Sequence, residues 1–335
     1  MADLTNPDTG AGATAASPDR SARHGRCGRS GYGGRAGRPS RVRRWRSLAW
    51  ILVGILILSY PVVATLYNDY RIQKQAQDYS GAVEKIDPPN KSQQYLAEAR
   101  DYNARLARQG HHALPPGDES PGWQEYLSTL NAPETNGMMG RITIAAIDVD
   151  LPVYHGTQPD VLYEGAGHMF GSDLPVGGAG TNAVITAHTG MVDASMFDRL
   201  PTLKDGEIAT VEVMGEKLHY RVTGRKVVKP DYWQAVTYEE GKDKLTLVTC
   251  TPYGINSDRL LVEAERVDLG SDGDYSWKPS FSWWMLAALA IIAIVLIIVA
   301  VKEWRRRRRR RQQADQPETR TGDGVYGVAG EHSGP

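Results

Sequence analysis

Two long apolar runs bracket most of the chain and constrain its fold more than any other feature. Residues 48–66 ("LAWILVGILILSYPVVATL") form a run of 19 without a charge, and residues 281–301 ("FSWWMLAALAIIAIVLIIVAV") form a run of 21. At about 1.5 Å per residue, each run is long enough as a helix to cross a hydrocarbon layer of about 30 Å. A signal peptide is the alternative for the first run, but this run exceeds the usual signal core and no small-residue cleavage site follows it. The sequence therefore predicts two membrane-spanning helices.

The charges outside these runs predict how the chain is oriented in the membrane. Ten Arg precede the first run, and Lys302 and Arg305–Arg311 follow the second. Basic flanks are retained on the cytoplasmic side. We therefore expect a two-pass cell-membrane protein with both termini in the cytoplasm and the region between the runs outside. From residue 48 to 301 the chain has 20 Lys and Arg against 31 Asp and Glu, so the neutral total combines an acidic outer region with basic flanks.

The segment before the first run is rich in Arg and Gly. Residues 1–47 have too few apolar side chains to offset the entropy of ordering, so we expect them to be disordered. Tails of this composition also bind nucleic-acid phosphates. Basic residues beside anionic lipid already account for the composition, so the expected partner is the lipid bilayer and not nucleic acid.

The region between the runs changes pattern once. Tyr95, Ala99, Tyr102 and Leu106 follow a helical spacing, and a Gly- and Pro-rich loop comes next. Short alternating runs separated by turns then predict an antiparallel β-barrel or sandwich. The expected order is a cytoplasmic tail (1–47), a membrane helix (48–66), an extracellular helical extension (67–139) that contains the loop (110–123), a β-domain (140–268), a linker (269–280), a second membrane helix (281–301) and a basic cytoplasmic tail (302–335).

The two cysteines of the chain are expected on opposite sides of the membrane. Cys27 lies in the cytoplasmic tail and Cys250 in the outer region, so they cannot pair within one chain. Cys250 ends the apolar run "KLTLVTC", which places its thiol at the end of a strand. A lone outer cysteine is buried and inert, joined to another chain, or reactive.

A reactive thiol needs a basic neighbour and a donor for the oxyanion that forms on the carbonyl it attacks. His188 ends the strand pattern "TNAVITAH", and Arg259 begins the pattern "RLLVEAERV". If the strands that bear these residues are neighbours, the three side chains converge at one end of the sheet. Spacing alone leaves other candidates open: His111, His112, His155, His168, His219, Arg199, Arg221 and Arg225. His188 and Cys250 have no further residues at metal-ligand spacing, so no metal or other cofactor is expected.

Several segments resemble those of a known family. "TLVTCTPYGINSDRLLV" closely resembles the cysteine-to-arginine segment of class C sortases, the membrane-anchored transpeptidases of Gram-positive bacteria. "GRITIAAIDVDLPVYHGT", "GAGHMFGSDLPVGG" and "NAVITAHTGM" are similar to successive segments of the same catalytic domain, in the same order. The resemblance covers residues 67–268. It implies a mainly β fold, a closed sortase-type β-barrel with an N-terminal helical extension between two transmembrane helices.

The resemblance also implies roles for individual residues. Cys250 corresponds to the nucleophile, His188 to the general acid and base, and Arg259 to the group that orients substrate and stabilises the oxyanion. The implied reaction cleaves an LPxTG-like sorting signal, forms a cysteine thioester and passes the chain to an amine. In class C this acceptor is typically a pilin lysine, which polymerises the pilus; attachment of surface proteins to cell-wall precursor is the alternative.

The resemblance also bears on positions beside the implied catalytic residues. Ala187, Thr249 and Thr251 are expected to shape the substrate-binding pocket. Class C enzymes usually have Gly-His-Arg-Gly around the histidine, whereas Ala187 and Thr189 flank His188 in this chain. This difference from the family pattern changes the contacts expected of the loop, whereas His188 and Gly190 match the pattern.

Class C sortases often carry a lid, an Asp-Pro-aromatic loop that occupies the cleft. Residues 110–123 lie at the corresponding place and offer Asp118 and Trp123, but without the Asp-Pro-Trp motif. The segment is therefore either a lid with these two residues or an ordinary connector.

Two other classes of protein are rivals. A non-catalytic membrane scaffold or sensor has no need for a thiol, an imidazole and a guanidinium together. A papain-like peptidase has its cysteine on a helix before the histidine, whereas Cys250 ends a strand 62 residues after His188.

Overall fold

The computed structural model describes residues 41–110, 121–269 and 281–314. Of these, the residues from 50 onward belong to one unit, and residues 41–49 belong to a separate unit. The helices are α1 (Arg41–Val83), α2 (Lys91–Gln109), α3 (Trp123–Ser128), α4 (Pro159–Glu164) and α5 (Trp283–Ala314). Short 3₁₀ turns occur at Pro133–Thr135, Ala145–Ile147, Leu200–Thr202 and Trp233–Val236.

Eight strands close into a barrel, which confirms the predicted sortase-type β-barrel. They are β1 (Met138–Ile144), β2 (Val149–His155), β3 (Ala166–His168), β4 (Thr181–Thr186), β5 (Ile208–Val213), β6 (Glu216–Val228), β7 (Asp243–Thr251) and β8 (Asp258–Val267). Their order around the barrel is β1-β2-β3-β4-β7-β8-β6-β5. β4 pairs with β7 in parallel, and β7 pairs with β8 antiparallel.

Alternation along β7 separates two apolar layers. Leu245 and Leu247 are buried in the central core. Val248 points to the other face and packs with Val184 and Leu261 in a second cluster outside the barrel. Val236, in the segment between β6 and β7, covers part of this outer cluster. The outer face of β4, β7 and β8 is therefore an apolar floor beneath a connecting segment.

The two ends of the barrel differ in which loops they carry. β4 and β7 are parallel and finish at the same end, which we name the front end; β8 begins there because it is antiparallel to β7. β3 is antiparallel to β4, and β2 is parallel to β3, so β2 and β3 finish at the opposite, back end. The residues that follow β4 and β7 therefore meet at the front end.

The N-terminal helices pack against the barrel wall. Near the front end, the Asn68 amide of α1 donates to the backbone oxygen of Asp193 at 3.0 Å. Near the back end, the Tyr79 hydroxyl donates to Met139 O at 3.0 Å. The predicted stripe on α2 also packs against the barrel core: Ala99 and Tyr102 are buried, and Tyr95 and Leu106 are partly buried.

Some boundaries differ from those predicted. α1 begins at Arg41, inside the predicted disordered segment 1–47, because four of residues 41–47 are Arg, a good helix former that extends the apolar helix backwards. α5 likewise continues past residue 301 to Ala314. Both helices are long and apolar enough to cross a membrane. Residues 1–40, 315–335, most of the loop at 110–123 and most of the linker at 269–280 lie outside the described residues.

Candidate active site

Cys250 and Arg259 are directly paired across the ladder of β7 and β8. Opposite residues of an antiparallel pair lie on one face with their Cβ atoms about 5 Å apart. This face is the outer one, because Val248 and Leu261 two residues away belong to the outer cluster. The Cys250 thiol is free and half-buried. The register therefore places a thiol and a guanidinium side by side at the front end.

The Arg259 side chain is held by the turn between β7 and β8. Its Nη1 donates to the backbone oxygens of Asn256 at 3.3 Å and Asp258 at 3.1 Å. Within the described parts of the chain, no carboxylate oxygen lies within 4.0 Å of its nitrogens. The neighbouring Asp258 carboxylate interacts with the charge of this guanidinium, and the remaining donors of the guanidinium can bind a developing oxyanion.

His188 follows β4 and lies beside the end of β7. The last registered pair of these parallel strands is Thr186 with Val248, and the Ala187 N–H still donates to Val248 O at 3.2 Å. Continuing this register by two residues places His188 opposite Cys250, one strand spacing of about 4.8 Å away. Burial lowers the pKa of His188. The ring is therefore a neutral imidazole near neutral pH and can accept a proton.

The loops after His188 and Cys250 approach each other at Gly190. Gly190 has a φ of +75°, a backbone conformation that side-chain-bearing residues rarely adopt. A Cβ atom at this position would lie 3.4 Å from the backbone nitrogen of Gly254. That distance is an ordinary van der Waals contact, so the positive φ, and not a lack of space, is what favours glycine at this position.

Asp198 is a site residue that sequence reasoning missed. Its Oδ1 accepts hydrogen bonds from the Gly190 N–H at 2.7 Å and the Thr189 hydroxyl at 3.1 Å. Its Oδ2 accepts one from the Tyr253 hydroxyl at 3.3 Å. Burial raises the pKa of this carboxyl. The sequence gives no signal for this role, because Asp198 lies in an irregular loop eight residues from its main partner. Thr189, the residue that departs from the family pattern, is therefore used to bind Asp198.

The structure does not support direct substrate contact by Ala187 or Thr249. Thr249 alternates with Cys250 and points to the inner face, where it is 1% exposed, and Ala187 is 2% exposed. The Thr249 hydroxyl donates to Ala187 O at 2.8 Å. Thr251 lies on the same side as Thr249 and is half-buried at the strand end. These residues therefore position the segments that carry Cys250 and His188 from behind.

Trp123, one of the two predicted lid residues, does not lie in the cleft. Trp123 begins α3, is 5% exposed, and packs edge-on against Phe170 with ring centroids 5.2 Å apart. Phe170 follows β3 at the back end, away from His188. Trp123 is therefore a core residue, since a large aromatic side chain gains more from burial than from occupying an open cleft. Asp118 lies outside the described residues.

The competing histidines are engaged elsewhere. His155 and His168 lie at the back end around Tyr126, whose hydroxyl is 2.8 Å from His168 O and 3.0 Å from His168 Nδ1. His155 Nε2 donates to Thr129 O at 2.7 Å. His219 contacts the Thr210 hydroxyl at 3.0 Å on β5. His111 and His112 lie outside the described residues.

The competing arginines also have other positions. Arg199 pairs with Asp148. Arg225 lies on β6 and donates to Pro201 O at 3.1 Å. Arg221 lies on β6 opposite Glu265 of β8. Arg259 lies opposite Val228, which is seven residues further along β6. Of the candidates in the described residues, the register brings together Cys250, His188 and Arg259.

Comparison with known proteins gives one consistent family. Residues 142–267 match the model of the sortase domain. The chain is 25% identical to Sortase A of Bacillus anthracis over 215 residues, which is 64% of this chain and 90% of that protein. Among solved structures, it is similar to a lid mutant of Sortase A from Corynebacterium diphtheriae, with 41% identity, 54% of this chain and 96% of that chain covered, and a TM-score of 0.50. It is also similar to sortase C1 from Streptococcus agalactiae, with 35% identity and a TM-score of 0.54. This match covers 59% of this chain and 100% of that chain. The residues that match the sortase domain contain the whole of β7 and β8 with the Cys250–Arg259 pair. The chain therefore belongs to the sortase family of transpeptidases.

Proposed function

We propose that this sortase is a class C enzyme in which Cys250 is the nucleophile, His188 the general acid and base, and Arg259 the oxyanion donor. The observation that carries the proposal is the direct pairing of Cys250 with Arg259, with His188 at the continuation of the β4–β7 register. Similarity to sortase C1 of Streptococcus agalactiae supports the class. Two apolar helices on either side of the catalytic domain support a membrane-anchored form.

The first half-reaction forms an acyl-enzyme. His188 takes the proton of the Cys250 thiol, and the thiolate attacks the carbonyl carbon of the threonine in an LPxTG-like signal. The carbonyl oxygen becomes an oxyanion beside the Arg259 guanidinium, whose N–H groups can donate to it. The tetrahedral intermediate collapses by breaking the threonine–glycine C–N bond. His188 returns the proton to the leaving glycine amine, and a thioester remains on Cys250.

The second half-reaction transfers the chain to an amine. A neutral amine attacks the thioester carbonyl, and the new oxyanion again faces Arg259. Neutral His188 accepts the proton of the attacking nitrogen. Collapse forms the amide bond and expels the Cys250 thiolate, which recovers its proton from His188. The net reaction exchanges one amide bond for another and needs no metal or redox cofactor.

The proposed acceptor is a lysine of a pilin subunit, so that repeated transfer polymerises a pilus. The alternative acceptor is a cell-wall precursor, which would attach surface proteins instead. The proposed location is the cell membrane, with both termini in the cytoplasm and the catalytic barrel outside, because basic residues flank both apolar helices.

The test is a transfer assay with the full chain in detergent micelles. The enzyme is incubated with an LPxTG-bearing pilin and, in parallel, with the same donor and an amine that mimics cell-wall precursor. We expect isopeptide-linked pilin oligomers by mass spectrometry, and none with Cys250→Ala. Transfer to the precursor mimic alone would assign the anchoring function. Absence of cleavage by a folded wild-type enzyme would favour the non-catalytic scaffold.

A further inference from the structure

The polar contacts of the apolar helix α1 lie at the front end of the barrel. The Thr65 hydroxyl donates to Val192 O at 3.0 Å. Asp69 accepts hydrogen bonds from the backbone and hydroxyl of Ser195 at 2.8 and 2.7 Å. Val192 and Ser195 belong to the loop that follows His188. This helix is therefore attached to the loop that carries a candidate catalytic residue.

The second apolar helix reaches the same end of the barrel independently. The Ser282 hydroxyl lies 3.4 Å from Asp198, the carboxylate that holds the loop after His188. Tyr253, which follows Cys250 by three residues, lies beside Trp284 in the first turn of α5, and its hydroxyl donates to Asp198 at 3.3 Å. Met285 in the first turn of α5 is fully buried. Both loops of the site thus contact the start of α5.

The direction of α1 fixes the side on which a bilayer would lie. Along this helix, Thr65 contacts the front end and Tyr79 contacts Met139 and Met214 at the back end. Thr65 lies near the end of the uncharged run 48–66, so almost all of this run comes before the contact with the front end. The membrane-spanning part of α1 therefore leaves the barrel on its front side. α5 leaves the same end after Ser282. A bilayer that holds both helices must lie against the front end.

Exposed apolar side chains are concentrated on this end. Val192 and Ile255, in the loops after His188 and Cys250, are 71% and 72% exposed. Tyr163, Val227 and Tyr253 are further exposed side chains of the front end. In contrast, the described back end presents few large apolar side chains, of which Tyr238 is one. Exposed apolar side chains gathered at one end of a domain are typical of a contact with a membrane or another protein.

An apolar groove joins this surface to α1. It has a volume of about 690 Å³ and is lined by Tyr60, Val63 and Tyr67 of α1 and by Met191 and Val192 of the loop. Tyrosine side chains at the end of a membrane helix favour the boundary between headgroups and acyl chains. Val192 is therefore continuous with the part of α1 that would lie at this boundary.

We propose that the front end of the barrel docks on the outer surface of the bilayer, with Val192 and Ile255 in the boundary between headgroups and acyl chains. This inference rests on the proposed spanning of the membrane by α1 and α5. Docking places the Cys250 thiol at the membrane surface. The enzyme would then act on the part of a substrate polypeptide held next to the bilayer, rather than on a site far out in the cell wall.

The test uses the full chain in vesicles of phosphatidylcholine and phosphatidylglycerol, with a nitroxide label on one introduced cysteine at a time. The background is Cys27→Ser with Cys250→Ser, so that the label attaches at the chosen position alone. The docking positions are Val192→Cys and Ile255→Cys. Leu56→Cys on α1 reports spanning, and Ser128→Cys at the back end is the aqueous control. All four side chains are exposed, so labelling does not disturb the core.

The readout is the ratio of nitroxide collisions with oxygen, which concentrates in lipid, to collisions with a water-soluble nickel chelate. We expect the ratio at Val192 and Ile255 to exceed that at Ser128 several-fold and to approach that at Leu56. If Leu56 is in lipid while Val192 and Ile255 match Ser128, docking is wrong and spanning holds. If Leu56 also matches Ser128, the spanning proposal fails and docking fails with it.

Discussion

The carboxylate of Asp198 accepts a 2.7 Å hydrogen bond from the backbone N–H of Gly190, two residues after His188. The Phe197 N–H, next to Asp198, donates to the backbone oxygen of His188 at 3.0 Å. These two bonds close the loop from His188 to Asp198 on itself. Since Asp198 also accepts from Tyr253, one carboxylate links the segments that follow both His188 and Cys250.

The first prediction concerns Asp198→Asn. The amide keeps the size of the carboxylate but loses its charge, and one of its two ends can no longer accept the present bonds. We expect kcat/KM to fall by about tenfold, equivalent to about 1.4 kcal/mol, through misplacement of His188. The measurement is peptide cleavage by the full chain, with Asp205→Asn on an exposed loop as the matched control. Equal activity of Asp198→Asn and the control would remove Asp198 from the positioning of His188.

The second prediction concerns Arg259→Lys. Lysine keeps the positive charge but lacks the planar fork that can bind the turn carbonyls and an oxyanion together. We expect turnover to fall by about 10²-fold or more, or about 3 kcal/mol of transition-state stabilisation. Arg225→Lys, on the neighbouring strand β6, is the control and should retain activity. Near-normal turnover of Arg259→Lys would assign this arginine to structure alone.

The third prediction separates positioning from substrate contact at Thr249. Valine at this position fills the same space but removes the hydroxyl that donates to Ala187 O. Loss of a buried hydrogen bond costs about 1–2 kcal/mol, so we expect a lower Tm together with a lower kcat. Thr251→Val, two residues along the same face and less buried, should change both less. A raised KM with unchanged Tm and kcat for Thr249→Val would restore the original interpretation of Thr249 as a substrate-binding residue.

The fourth prediction is a loss of stability in mild acid. Burial lowers the pKa of both His155 and His168 to about 4, below the ordinary value of 6.5. The folded state keeps both rings neutral, whereas the unfolded state binds protons below pH 6.5. Their contribution to stability is therefore complete above about pH 6.5 and is lost as the pH falls towards 4. Within this window each ring lowers the free energy of unfolding by up to about 1.4 kcal/mol for each pH unit of acidification.

The measurement for this prediction is the Tm of the full chain in detergent between about pH 7 and pH 5. Burial raises the pKa values of Asp69, Asp198 and Asp243, so these carboxyls act in the opposite direction as the pH falls. We expect the Tm to fall across the window, and NMR titration to show two histidines that remain neutral at pH 5. The assignment of His155 and His168 as buried neutral residues would be contradicted by a constant Tm. It would also be contradicted if both histidines became protonated near the ordinary pKa of 6.5.

The fold was largely predictable because its signals are local or repeated. Apolar length predicts α1 and α5, and short alternating runs predict strands; together with the motif around Cys250 they lead to a closed barrel. The pairing of Cys250 with Arg259 is partly predictable, since nine residues span two strand ends and a tight turn. In contrast, the link from Asp198 to Gly190 and Tyr253 depends on loops whose paths no periodicity determines.

Where the structure differs from what the sequence led us to expect, the causes are equally specific. Trp123 follows a Gly- and Pro-rich loop, and such a sequence does not indicate whether the aromatic side chain enters a cleft or the core. Its contact with Phe170 shows that it lies in the core. Thr249 is adjacent to the nucleophile in sequence, but strand alternation turns it to the opposite face. Arg41 was assigned to a disordered tail because composition ignores how far a neighbouring apolar helix extends.

The most direct test of the account is the intact mass of the full chain after brief mixing with an LPxTG peptide. The account predicts a thioester adduct on Cys250 that hydroxylamine removes, and no adduct on Cys250→Ala, which should keep the Tm of the wild type because the lost thiol is half-buried at a strand end. Cleavage of the peptide by Cys250→Ala, or a wild-type adduct on any residue other than Cys250, would contradict it.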